Sequence, residues 1–128
     1  MLILLLKHTG GLAMANSSEA CNVLSSVARA YMMKGFDEHE VIVNSIEDEL
    51  SIFLPKMRRL EYIFPENSLK RLDLNRYENV FNSCLEVWIL VPLSLLGEAH
   101  GLFRKKADWV QAWWVDGENL KFTSPERP

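Results

Sequence analysis

Apolar residues at Ala20, Val23, Leu24, Val27, Ala30 and Tyr31 recur at helical spacing and fall on one stripe. This spacing predicts an amphipathic helix over residues 16–34 that must bury one face against something else. Asn16 and Glu19 have the spacing of a capping box at its start. Gly35 is a natural stop, because it accepts the left-handed backbone that ends many helices. Asp37 and Glu40 form a second capping box, with Phe36 and Val41 at staple spacing around it. Ile42, Ile46, Leu50 and Phe53 then carry an apolar stripe as far as Pro55. Residues 16–54 therefore predict a helical hairpin.

The segment 64–68 (Phe-Pro-Glu-Asn-Ser) is a turn signal. Tyr77, Val80, Phe81, Cys84, Leu85 and Trp88 keep helical spacing after it, so a third helix is expected to start near Asn75. Residues 87–91 would serve equally well as a buried strand, and Pro92 closes either structure. Residues 93–107, with Gly97, Gly101 and a basic run, are expected to be a loop with a short helical turn. Residues 108–115 read two ways. As a helix, Asp108 caps it, Trp109 pairs with Trp113, Val110 pairs with Trp114, and Gly117 ends it. As a strand, Trp109, Gln111, Trp113 and Val115 alternate with Val110, Ala112 and Trp114, and Asp116-Gly117 turns into residues 119–123. The expected fold is mainly α, a small helical bundle. The alternative is α+β with a C-terminal antiparallel sheet from about residue 86. Residues 1–15 read as an extension, 16–123 as one globular domain and 124–128 as a tail.

With 128 residues, 48% of them apolar and 24% charged, the chain suits a single domain with a real core. A net charge of −3 argues against a phosphate-backbone binder, so no nucleic-acid partner is expected. The apolar runs at 2–6 and 87–96 are shorter than the ~20 residues of a membrane span. No membrane partner is expected, and Met14 offers an alternative start. Two cysteines, Cys21 and Cys84, lie on apolar stripes and suggest small core residues in a reducing, cytoplasmic setting. His8, His39 and His100 lie in separate segments, and no metal-ligand, phosphate-loop or nucleophile motif is present. The expectation is no cofactor, no metal and no enzymatic activity. Asp37, Glu38, Glu40, Glu47, Asp48 and Glu49 stand against basic clusters at 56–59, 70–76 and 104–106. Such a polarised surface suits a charged protein partner.

The run from Phe64 to Val80 (FPENSLKRLDLNRYENV), followed by Leu85-Glu86 and Val91-Pro92, resembles the acyl and peptidyl carrier proteins. In that family a helix and a long loop lead to a Pro-Asp-x-Ser-Leu-x-x-Leu-Gly-x-Asp-Ser-Leu motif and a recognition helix. The resemblance covers roughly residues 38–116, with 37–54 matching the family's first helix and the tryptophans its last. The position of the serine that carries phosphopantetheine is Arg76, preceded by Asn75 in place of the aspartate. Arginine cannot form the phosphodiester, so the resemblance implies a module that carries no thioester cargo. It implies contact with another protein through Asn75, Arg76, Tyr77 and Asn79.

Three functions follow as expectations. The first is this non-enzymatic, carrier-like interaction module. The second is a small bacterial immunity protein or antitoxin that covers a toxin's active site. The third is a helix-then-sheet cone like the NTF2 families, with a ligand pocket or an enzymatic role.

Overall fold

A computed structural model describes residues 15–46 and 49–128, with side chains from Ser18 onward. The apolar run at 2–6, His8, Gly10-Gly11, Met14, Glu47 and Asp48 lie outside the described residues, as does the side chain of Asn16. Helix α1 (Ala15–Met33) forms where the apolar stripe lies. Gly35, at φ +105°, ends it, while the Phe36 amide donates back to the Tyr31 carbonyl at 3.2 Å.

Beyond α1 the helical hairpin does not form. Residues 42–54 are instead a β-hairpin, β1 (Ile42–Ile46) and β2 (Glu49–Leu54), paired antiparallel from Ile42↔Phe53 to Ile46↔Glu49. The Asp37–Glu40 reach-back is present, with Asp37 N donating to Glu40 Oε1 at 2.9 Å, but it caps one 3-10 turn (Glu38–Glu40). The β-branched residues Ile42, Val43, Ile46 and Ile52 favour the extended backbone. Alternation then sends Leu50, Ile52 and Leu54 to one face, and all three are buried.

Four more strands complete the sheet: β3 (Arg59–Ile63), β4 (Glu86–Pro92), β5 (Trp109–Asp116) and β6 (Asn119–Phe122). Strand order equals chain order. The β1–β2, β2–β3 and β5–β6 pairs are antiparallel, and β3–β4 and β4–β5 are parallel. The fold is therefore α+β with one six-stranded mixed sheet, not a mainly-α bundle. Nor is it the alternative sheet from about residue 86, since the sheet begins at Ile42 and β4 and β5 run parallel. Of the two readings of 108–115 the strand is the one adopted. The β5–β6 hairpin closes at Asp116↔Asn119, with Gly117 in the left-handed conformation at φ +65°.

Each parallel step needs a crossover. The first holds α2 (Glu66–Lys70), a 3-10 turn (Leu74–Tyr77) and α3 (Glu78–Phe81). The second holds a 3-10 turn (Leu93–Leu95) and α4 (Leu96–Leu102). The third helix expected from Asn75 to Trp88 is cut short. Ser83 Oγ donates to the Val80 carbonyl at 2.6 Å and accepts from the Leu85 amide at 3.2 Å, which diverts the backbone before β4.

Both faces of the sheet are covered. On one, α1 lays Ala20, Val23, Leu24, Ala28 and Tyr31 over Leu50, Ile52, Leu54, Ile63, Leu90 and Trp113. On the other, Leu69, Tyr77, Leu95, Ala99 and Phe103 cover Tyr62, Val87, Ile89, Val91, Val110 and Ala112. β4 is apolar on both sides, as a central parallel strand must be. Cys21 borders the first core, whereas Cys84 is exposed and not a core residue; both are free. Residues beyond β6 remain tied to the sheet, since Val110 and Glu126 exchange both backbone hydrogen bonds at 2.8 and 2.9 Å. No helix among the described residues is long and apolar enough to cross a membrane.

Candidate functional site: a cleft beneath the first helix

The 3-10 turn Pro55–Met57 and the left-handed Arg58 (φ 52°) reverse the chain between β2 and β3. The Arg58 carbonyl accepts the Glu86 amide at 2.8 Å, which starts β4 alongside β3. The parallel register then sets Arg59 beside Glu86 and Glu61 beside Trp88, all on the face that α1 covers.

These side chains form one network. Arg59 Nε donates to Glu86 Oε1 at 2.7 Å, and Trp88 Nε1 donates to the same oxygen at 2.9 Å. Arg59 Nη1 donates to the Tyr31 hydroxyl at 3.0 Å, and that hydroxyl donates to Glu61 Oε2. Arg59 Nη1 also lies 4.0 Å from Glu61 Oε2. The guanidinium sits 4.4 Å above the Trp88 ring, a cation–π contact. Trp88 in turn meets Trp109 at 5.9 Å, and Arg127 caps Trp109 at 4.4 Å. Two cations and two indoles thus line up across β3, β4, β5 and the chain beyond β6.

Glu61 is 2% exposed, in a row with Ile52 and Trp88. Burial pushes its carboxyl above the ordinary range, against the opposing pull of Tyr31 and Arg59. Burial, and then the neighbouring Glu61, pushes the Tyr31 hydroxyl up as well. Glu86 moves the other way, held down by the Trp88 hydrogen bond and the Arg59 ion pair.

Above this network lies a cleft of about 380 Å³ between α1 and the sheet. Val27, Ala30 and Tyr31 form its helix wall, Arg59, Glu61 and Trp88 its floor, and Phe122 and Pro125 its far side. Lys34 stands at the helix end, with Nζ 5.6 Å from the Tyr31 ring centroid. Gln111 also lines the cleft, held by its Nε2 donating to the Thr123 carbonyl at 2.8 Å. A pocket of this size, with apolar walls and a few fixed polar groups, has the form of a small-ligand site.

The four residues expected to meet a partner are not one surface. Asn75, Arg76 and Asn79 are exposed, but Tyr77 is 6% exposed and packs edge-on against Tyr62 and Phe64 at 5.1 and 5.8 Å. Tyr77 is therefore a core residue of the helix-covered face, away from the cleft. Asn75 and Arg76 border separate depressions of about 200 and 110 Å³. None of the cleft's polar residues stood out in the sequence. The available signal was Arg59-x-Glu61 and Glu86-x-Trp88, polar–apolar alternation with the period of a strand.

No group of three or more His, Cys, Asp or Glu among the described residues could hold a metal ion. Comparison with protein-family models, with curated proteins and with solved structures finds no match to this chain.

Proposed function

We propose that this protein acts by binding rather than by catalysis, and that its cleft beneath α1 takes a small planar ligand. The observation that carries this reading is the locked floor of the cleft. Arg59, Glu86, Tyr31, Glu61 and Trp88 are fixed by one another before any ligand arrives. Such preorganisation lowers the ordering cost of binding. The hydrogen bonds among them hold the floor in one arrangement, which suits recognition better than turnover. Protein-observed NMR with a set of planar fragments tests the reading, read out at the Trp88 indole N–H resonance. Binders should shift that resonance, and Ala30→Trp, which fills the cleft from the exposed side of α1, should abolish binding. Fragments that bind Ala30→Trp as well as the parent would place the site elsewhere.

A second reading, binding to another protein as an immunity protein or antitoxin does, is favoured by β1. This outermost strand carries Ile42 and Ile46 at 47% and 68% exposure, on a face that α2–α4 leave open. If it is correct, Ile42→Lys with Ile46→Lys breaks a purified complex that Ala30→Trp leaves intact. Two free cysteines, Cys21 on α1 and Cys84 between α3 and β4, support a reducing, cytoplasmic working place.

A further inference from the structure

We propose that the ligand of this cleft is a planar anion, its ring system against Trp88 and Phe122 and its carboxylate or phosphate on Arg59 and Lys34. This rests on the cleft being the binding site. Arg59 commits Nε to Glu86 and Nη1 to Tyr31, at 2.7 and 3.0 Å. Its Nη2 donates to no protein group among the described residues, although Arg59 lines the cleft. The Glu86 bond and the Trp88 ring fix the plane of the guanidinium. One end of a rigid donor fork is thus left for an incoming acceptor.

Lys34 supplies the second cation. It is exposed, has no carboxylate within ion-pair distance among the described residues, and lies over the Tyr31 ring at the cleft mouth. Arg59 already pairs with Glu86, while Lys34 acts on the buried Glu61 without an ion pair to it, so its ammonium stays open to an anion entering at the cleft mouth. A neutral ligand of the same shape would offer Nη2 and Lys34 only an uncharged acceptor, a weaker partner than a carboxylate or phosphate. A cationic ligand would face both. The apolar walls set the other half of the preference, because Val27, Ala30 and Phe122 offer rings a surface but offer no polar partner.

The test uses the full chain with three probes of one shape at neutral pH: naphthoate, naphthyl phosphate and neutral naphthamide. Binding is followed by calorimetry and tryptophan fluorescence. At least one anion should bind about 10-fold or more tighter than the amide, the gain expected from a charge-assisted hydrogen bond. Whichever anion leads identifies the carboxylate or the phosphate as the source. Lys34→Met, an exposed substitution that leaves the floor intact, should narrow the gap, and Arg59→Lys, which keeps the charge but loses the fork, should narrow it further. Equal affinities for all three probes, with binding lost in Ala30→Trp, would overturn the anion and keep the cleft. Binding of none of the three would overturn both.

Discussion

The indole Nε1 of Trp113 donates to Glu19 Oε2 at 2.8 Å, joining β5 to α1 across 94 positions of the chain. Helix α1 is therefore held by this directed bond, and by those of Tyr31 with Arg59 and Glu61, as well as by its apolar stripe, and the cleft depends on where that helix lies. Trp113 is 1% exposed. Trp113→Ala is expected to lower stability by ~3–5 kcal/mol, the cost of a large buried cavity. Trp113→Phe keeps most of the packing and releases Glu19 to water, and should cost about 1 kcal/mol. Urea denaturation of both variants checks the ratio. Equal losses would mean that the hydrogen bond, not the packing, holds α1.

Stability should depend on pH with two opposite signs. Burial raises the Glu61 carboxyl, so the folded protein binds this proton more tightly than the unfolded chain. Stability therefore falls as pH rises from the unfolded carboxylate value, about 4.3, through the raised folded value. Glu86 is depressed by Trp88 and Arg59, so its contribution is present above the unfolded value and lost as pH falls through the depressed one. Glu61→Gln should remove the first effect and leave the second. Relative to the parent, the variant should gain stability as pH rises. A difference that stays constant with pH would show that Glu61 has an ordinary proton affinity.

Arg59 and Glu61 should be energetically coupled. The Arg59 side chain is 17% exposed and that of Glu61 3%, so Arg59→Met leaves a buried carboxylate without its counter-charge. The expected loss is ~2–4 kcal/mol. Adding Glu61→Gln should restore about 1–2 kcal/mol, because the stranded charge is gone. A double-mutant cycle by urea denaturation measures this, and strictly additive losses would rule the coupling out.

Tyr77 and its neighbours should behave differently. Tyr77 contacts the rings of Tyr62, Phe64 and Phe81, so Tyr77→Ala should cost ~3–5 kcal/mol. Asn75→Ala, Arg76→Ala and Asn79→Ala, at exposed positions, should each stay within about 0.5 kcal/mol. Thermal denaturation of the four single variants decides whether Tyr77 is packed while Asn75, Arg76 and Asn79 are free of the core.

Deleting residues 124–128 should expose Trp109. The deletion removes the Val110–Glu126 backbone pair, the 2.8 Å His100–Glu126 contact and the Arg127 cap on the Trp109 ring. Tm is expected to fall by about 5 °C, the equivalent of roughly 1 kcal/mol in a domain of this size. Tryptophan emission should move to longer wavelength. Unchanged Tm and emission would show that this segment is dispensable to the sheet.

How much of this was legible differs from element to element. Helix α1 could be read because its stripe and Gly35 agree, and the β5–β6 hairpin was one of two readings because alternation and Asp116-Gly117 agree. The β1–β2 hairpin was hidden because Ile42, Ile46 and Leu50 satisfy a four-residue period as well as they fit strands. No Gly or Asn marks a turn between Ile46 and Glu49, and the Asp37–Glu40 reach-back suggested a helix start where only one turn forms. The site was hidden for another reason. Arg59, Glu61, Glu86 and Trp88 become neighbours only through parallel pairing of strands separated by a crossover, which local spacing does not report. Tyr31, the remaining member, looked like an ordinary member of an apolar stripe.

Because the strands lie across the sheet in the order in which they occur along the chain, none has to be inserted between two that are already paired. A chain emerging from the ribosome can therefore extend its sheet one edge at a time, beginning with the β1–β2–β3 meander, whose pairings are local. Each later strand docks on the edge left by its predecessor, so an unfinished chain always presents a raw edge. On β5 the stretch that β6 leaves unpaired is covered when the Val110–Glu126 pair forms. The long-range contacts between α1 and β5, Glu19 with Trp113 among them, can form only after β5 is in place.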